Sequence, residues 1–380
     1  MDTTQELNGG IIEGGMSDVL VKGWCPSLEK PMETGDGLLV RVPIKFGRLQ
    51  ASVLRKIAEL AEKYGNGHLD LSARGNLQIR GVIKENYPHL REELAGLGFV
   101  HDVPLAIIVN PLAGIDGACD ASVLELAEEI IARSVASKIK LPEKFLIVID
   151  GGGVFPLTDI PCDLYISSDR HPALDAGSMD KNTDTICVTR SPLKAGMTLP
   201  SRVSQIIEIL YQSPQCNKKT FSKNIMPLML GYIPLAQHSG VVGCSAEFGR
   251  VEAVELKKLA DIVEQYSGGK IILAPKRIFL LPKVLRQDAI VAVQELEKIG
   301  FITDANDSRL KIHACVGAPA CSSAFGDTRN YAKEYAKNHP NLNKIVHITG
   351  CPKGCAYKGK ADITITANEH GYDIEHENQL

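Results

Sequence analysis

Four cysteines, Cys315, Cys321, Cys351 and Cys355, stand out chemically, spaced C-x5-C, a long interval, then C-x3-C. They lie in HACVGAPACSSAFGD and TGCPKGCAYKGK, among Gly, Pro, Ala and Ser, which let backbone curl tightly around a bulky inorganic core. Four thiolates in such loops suit a cubane iron–sulfur cluster. Tetrahedral zinc is the rival, but its loops usually bring cysteines two to four residues apart, and the C-x5-C gap fits that poorly. A disulfide pair or four unrelated core cysteines is the third reading. Cys119, Cys162, Cys187, Cys216 and Cys244 have no partner spacing and read as core residues, and Cys25 in GWCPS reads as a packed cysteine before a ligand or reactive thiol.

A second constellation is SARGNLQIR, Ser72 to Arg80. Side chains alternate across a strand, so Arg74, Asn76, Gln78 and Arg80 are expected on one face, with Ala73, Gly75, Leu77 and Ile79 on the other. Arginine in such a row suits planar, bidentate recognition of carboxylates, and Arg41 on the preceding strand is placed to extend the patch. The bland alternative is an ordinary sheet with one solvated face. Read functionally, the row binds a polycarboxylate ligand near the cysteines.

The elements that position these residues recur within the chain. An apolar stripe, Leu54, Ile57, Ala58 and Ala61, predicts a helix from about Gln50 to Tyr64. GNG stops it, LDLSARGNLQIRGV reads as one or two strands joined at Ala73 to Gly75, and a second helix runs from about Tyr87 to Leu97. Phe46 to Val100 aligns without a gap to Phe248 to Ile302, an offset of 202, with 16 identities in 55 positions. In the second copy Arg74, Asn76, Gln78 and Arg80 become Lys276, Ile278, Leu280 and Pro282, mostly apolar. NPLAGIDGACDAS resembles HACVGAPACSS, and FLIVIDGGG resembles IVHITGCPKG, so the likeness extends beyond the aligned block. The expected fold is α+β and internally duplicated. Two ferredoxin-like half-domains (21–100 and 231–305) and two α/β units (101–230 and 306–380) would surround a pseudo-twofold axis, after a flexible tail at 1–20. Only the second half carries the C-x5-C…C-x3-C set, which points to one composite site between the halves.

Bulk properties narrow the function classes. A net charge of −3 over 380 residues gives no global pull toward nucleic acid or anionic membrane. No apolar run approaches the roughly twenty residues of a membrane helix. The N-terminus lacks the basic start and apolar stretch of a secretory signal, and ten cysteines without one argue for a reducing compartment, so a cytoplasmic protein is expected. Gly151-Gly152-Gly153 lacks G-x-G-x-x-G spacing and nothing resembles a P-loop, so no nucleotide site is supported. His101, His238 and His313 lie near motif segments and read as hydrogen-bonded structural residues.

Together these features resemble the nitrite/sulfite reductase superfamily, from Gly23 to Ile365. The resemblance implies a 4Fe–4S cluster on Cys315, Cys321, Cys351 and Cys355. SARGNLQ is similar to a T-x-R-x-x-x-Q signature whose arginine, here Arg74, faces sirohaem and substrate, and Arg41 matches a second anion-binding arginine. LPEKF matches a segment that continues as Lys-Phe-Lys in sulfite reductases; Lys144 and Phe145 are present, but Leu146 replaces the next lysine. The G-x-C-P-S opening, the run P-M-x-x-G-D-G-L-L-V-R (Pro31 to Arg41) and S-x-R-G-N-L-Q-x-R narrow the resemblance to the branch that acts on precorrin-3A in aerobic cobalamin synthesis. That implies an iron–sulfur monooxygenase that hydroxylates C20 of this tetrapyrrole polycarboxylate with O2 and closes a γ-lactone. It further implies a mononuclear non-haem iron and a separate reductase or ferredoxin as electron donor. The substrate-binding set is then Arg41, Arg74, Asn76, Gln78, Arg80 and Lys144. The alternative is a sirohaem-dependent nitrite or sulfite reductase.

Overall fold

The computed structural model describes residues 25–100, 105–138, 141–142, 144–167, 186–188, 203–204, 206–208, 228–357 and 359–376. The expected tail, His101 and Cys216 lie outside the described residues.

The first copy opens with a hairpin, β1 (Met32–Thr34) and β2 (Gly37–Arg41), turned at Gly35 and Asp36. A short strand β3 (Arg48–Gln50) leads into helix α1 (Ala51–Tyr64). Leu54, Ile57, Ala58 and Ala61 are all buried on α1, as their spacing requires. Each fully buried leucine or isoleucine contributes about 1.5–3 kcal/mol, which is what holds such a helix to its sheet. Next come β4 (His68–Leu71), β5 (Leu77–Val82) and α2 (Tyr87–Gly96).

After the first parallel unit the same series returns. β10 (Gly231–Pro234) and β11 (Ser239–Ser245) form the hairpin, followed by β12 (Arg250–Glu252), α4 (Ala253–Tyr266), β13 (Lys270–Ala274), β14 (Ile278–Leu285) and α5 (Ala289–Lys298). Helices α1 and α4 each start and end 202 residues apart, and Phe46 and Phe248 share a left-handed φ of 52°.

The two copies exchange strands. One sheet runs β1-β2-β5-β4-β12 and the other β10-β11-β14-β13-β3, so each is completed by a strand of the other copy. Arg250 lies opposite Asp70, and at the offset of 202 Arg48 lies opposite Ile272. Glycine is needed at this crossing. Gly47 and Gly249 have φ of +70° and +77°, and a Cβ would stand 2.1 Å from the Leu273 carbonyl oxygen or 2.8 Å from that of Leu71. Helices α1 and α4 pack over the joint core, with ion pairs Arg55–Asp261, Arg55–Glu264 and Lys257–Glu62 at its surface. The half-domains are thus interlocked, and a boundary near residue 100 separates them only along the chain.

Two parallel units flank this core. The first has β6 (Ala106–Val109), helix α3 (Ser122–Ala136), β7 (Leu146–Asp150), β8 (Leu164–Ser167) and β9 (Ile186–Val188). The second has β15 (Ile312–Ala314), α6 (Thr328–Asn338), β16 (Val346–Thr349) and β17 (Ile363–Asn368), with β18 (Gly371–His376) antiparallel at its edge. Ile272, Ile278 and Leu280 share one core with Leu146, Val148 and Tyr165 of the first unit. The equivalent face of the first copy carries Asp70, Asn76 and Gln78 instead. No described helix is long and apolar enough to cross a membrane.

Candidate cluster loops and the polar sheet face

Cys315 follows β15 and Cys351 follows β16, so both leave the C-terminal ends of adjacent parallel strands, the natural place for a loop-built site. Cys321 and Cys355 lie further along the same two loops. The amide of Gly350 donates to Cys315 Sγ at 3.2 Å, Cys315 N donates to Ile348 O at 3.1 Å, and Thr328 Oγ1 donates to Cys315 O at 2.8 Å. Gly350 also allows the loops to close, because a Cβ there would meet Ala324 Cβ at 2.6 Å. Cys351 is buried, Cys315 and Cys321 are half-buried, Cys355 is exposed, and no disulfide joins any of them.

This donor set fits a cluster. An amide aimed at a sulfur is one of the interactions that tune cluster thiolates. Among the described residues, no three His, Cys, Asp or Glu side chains gather at the distance of a single metal ion. A single tetrahedral ion needs its ligands at one point, whereas a cluster needs them spread around a larger body.

The matching end of the first parallel unit is closed by hydrogen bonds. Asn110 Nδ2 donates to Asp150 Oδ1 and to the carbonyls of Gly152 and Phe155, at 2.8–2.9 Å. Asp150 also accepts from the Tyr165 hydroxyl at 2.7 Å. Cys119 sits in this network, its thiol pushed up to about 12 by burial and by the charges of Asp150, Asp116 and Asp120. The thiolate a metal needs is therefore disfavoured at Cys119. Cys244, wholly buried, is likewise raised by desolvation.

The polar sheet face differs from its sequence expectation in two respects. Ser72 to Gly75 form a turn, closed by Gly75 N to Ser72 O at 2.9 Å, so Arg74 and Asn76 precede β5 and strand alternation does not apply to Arg74. Within β5 the alternation holds, with Leu77 and Ile79 buried against the helices. Arg41, Gln78, Asp70 and Arg250 stand side by side on β2, β5, β4 and β12.

The second difference is Arg80. It is 4% exposed and already engaged: it donates to Asp36 at 2.8 and 3.0 Å, to Asp70 at 3.3 Å and to the Ala320 carbonyl at 3.4 Å. Asp70 also receives Arg250 at 3.1 Å and Arg329, from the first turn of α6, at 2.8 Å. Burial works against the Asp70 carboxylate, but Arg329, Arg250 and Arg80 outweigh it and hold its pKa well below the usual range. Asp36 is also held low, desolvation being overcome by Arg80. Arg80 thus ties the sheet to the loop of Cys321, assisted by Gly35 N, which donates to Ala320 O at 3.0 Å.

Arg41, Arg74, Asn76 and Gln78 are less occupied than Arg80. Arg41 Nε is buried with no hydrogen-bond partner. Arg74, Asn76 and Gln78 are half-buried. Lys144 is half-buried in the turn before β7, on the first parallel unit. Lys276, the counterpart of Arg74, is engaged by Asp159 at 2.6 Å. Sequence reasoning missed Asp36, Asp70, Arg250 and Arg329. Asp70 could have been found, since its counterpart is Ile272 and the same alignment exposed the polar strand.

His313 and His347 are neighbours on β15 and β16, and Tyr357 stacks on His313 at 4.2 Å between ring centroids. Burial, then the charges of Arg277, His347 and Lys311, push His313 down to about 4, so it is neutral at pH 7.

Residues 30–97 match the nitrite/sulfite reductase ferredoxin-like half domain. The chain is 31% identical to a precorrin-3B synthase of Sinorhizobium sp, over 93% of this chain and 82% of that protein. It is 22% identical to a ferredoxin–nitrite reductase of Synechococcus elongatus (90% of this chain, 78% of that one) and 24% identical to a sulfite reductase [ferredoxin] of Mycobacterium tuberculosis (89% and 72%). The structure of Mycobacterium tuberculosis NirA protein superposes with a TM-score of 0.64 at 19% identity, covering 89% of this chain and 73% of that one, a likeness of fold. With the half-domain match and an identity of 31% across most of both proteins, the chain belongs to the precorrin-3B synthase family, on the nitrite/sulfite reductase fold.

Proposed function

We propose that this protein oxygenates precorrin-3A, holding it by its carboxylates against the polar sheet face beside a 4Fe–4S cluster on Cys315, Cys321, Cys351 and Cys355. The observation that carries this reading is the division among the arginines of that face. Arg80, Arg250 and Arg329 are each paired with Asp36 or Asp70, whereas Arg41 pairs with no carboxylate among the described residues; its buried Nε, like that of Arg329, has no hydrogen-bond partner. A guanidinium held ready beside Gln78 suits a planar carboxylate. Arg74, Asn76 and Lys144 complete the proposed substrate set; Arg80 leaves it. The duplicated scaffold offers one such face, because its counterpart in the second copy is filled by apolar packing.

In the reaction one atom of O2 becomes the C20 hydroxyl. The other leaves as water with two electrons and two protons from a separate donor. The ring A acetate bonds to C1 through a carboxyl oxygen as the C1–C20 π bond is consumed, and its proton ends on the new hydroxyl. The cluster, when bound, supplies electrons one at a time. The side chains fix the macrocycle's orientation and keep water from the reacting edge, replacing an encounter in solution by a bound geometry. Gly350 N and Thr328 hold the Cys315 segment, and Arg80 with Gly35 holds the Cys321 segment.

Protein purified without oxygen should show a broad, weak iron–sulfur absorption with no intense haem band. Supplied with precorrin-3A, a reductant and 18O2, it should release a labelled hydroxylated lactone. Stoichiometric, tightly bound sirohaem with nitrite or sulfite turnover and no oxygen incorporation overturns the reading.

A further inference from the structure

Arg277 stands where the first copy has Gly75, in the turn between β13 and β14. It and Lys276 both have a left-handed φ of 65°, a conformation L residues adopt reluctantly. The side chain runs through a slot opened by Gly249, where a Cβ would lie 2.6 Å from Arg277 Cδ and 3.0 Å from its Nε. It lies within electrostatic reach of Asp70, Arg329 and His313. Among the described residues its guanidinium makes no hydrogen bond or ion pair.

The nearby carboxylates are already engaged. Asp70 is already shared by Arg80, Arg250 and Arg329, and Asp36 is taken by Arg80. Four guanidiniums, Arg277 included, therefore share two carboxylates; Arg80 is buried and Arg250, Arg329 and Arg277 are half-buried. An excess of partly desolvated positive charge favours an anion. The turn of Arg277 also abuts the turn of Arg74, since Lys276 N donates to Ala73 O at 2.8 Å. Lys276, paired with Asp159, is not available in the same way.

We infer that Arg277 is an anion-binding residue of the composite site, taking a tetrapyrrole carboxylate from the second copy while Arg41 and Arg74 take others from the first. This rests on the tetrapyrrole reading above. The competing role is neutralisation of the cluster's own negative charge.

The test uses the full-length holoprotein and uroporphyrin I, a stable octacarboxylate porphyrin, titrated by absorbance, with a tetracationic porphyrin as control. Arg277→Ala should weaken uroporphyrin binding about ten- to a hundred-fold, the range for a charged hydrogen-bonded pair. Arg277→Lys should recover part of the loss, since it keeps the charge without the fork. Lys276→Ala should change binding less than about threefold, and the cationic porphyrin should gain nothing from the native arginine. Unchanged uroporphyrin binding by Arg277→Ala overturns the inference, as does a shifted cluster potential with binding intact. If Arg277→Ala does not fold, a folded Arg277→Lys protein that binds like the unaltered one at low and high salt overturns it equally. If the unaltered protein binds no carboxylate porphyrin, the tetrapyrrole reading itself falls; if it binds and the variants match it, only the role of Arg277 falls.

Discussion

Replacing Arg80 with alanine removes a guanidinium bonded to Asp36 at 2.8 and 3.0 Å, to Asp70 at 3.3 Å and to the Ala320 carbonyl at 3.4 Å. Asp70 would keep Arg250 and Arg329, but Asp36 would lose its one cationic partner and keep neutral donors such as the Thr34 hydroxyl and the Asn66 amide. Breaking a buried pair by removing one partner costs about 3–5 kcal/mol. The Asp36 side chain is 12% exposed and can reach water by opening its turn, so the loss should fall at the lower end, about 3 kcal/mol. That opening would draw Gly35 N from Ala320 O, where it now donates at 3.0 Å, and free the backbone just before Cys321. Denaturant unfolding should show the loss, and a chelator should strip iron faster than from the unaltered protein. Arg80→Lys should recover part of both. Native stability and iron retention in Arg80→Ala, together with weakened tetrapyrrole binding, would refute this reasoning and return Arg80 to the substrate.

Serine at any one of Cys315, Cys321, Cys351 or Cys355 should remove or destabilise the cluster, whereas Cys244→Ser should not; iron and acid-labile sulfide analysis distinguishes them. Arg41→Ala and Arg74→Ala should each weaken tetrapyrrole binding about ten- to a hundred-fold with the cluster spectrum unchanged, read by titration and absorbance. Asp36 and Asp70 have folded pKa values below their unfolded ones, so their stabilisation is complete above the unfolded value, about 3.9. It is lost only as pH falls through the lower folded values. Asp70→Asn should therefore lower stability at pH 7 and flatten its decline below about pH 4. An unaltered slope in acid denaturation would count against the Asp70 network.

The residue order by itself determined the cysteine loops, the repeat at an offset of 202 and the buried stripe on α1. These are local facts: spacing sets which thiols one loop can present, and apolar period sets which face is buried. The order also marked the first copy's strand as polar where the second is apolar. It did not say what that face meets. Arg74 and Arg80 look equivalent on a strand pattern, yet a turn lifts Arg74 out of the alternation while Asp36 and Asp70 claim Arg80. Lys276 and Arg277 are chain neighbours, and Asp159, from a different unit, takes only the first. Periodicity distributes side chains between faces but carries no information about partners far away in the chain. Those partners arrive through the exchange of β3 and β12 and the docking of α6, which brings Arg329 to Asp70. A buried charge is set by its nearest opposite charge, so only the assembled fold decides which arginines are bound to the protein and which remain for a ligand.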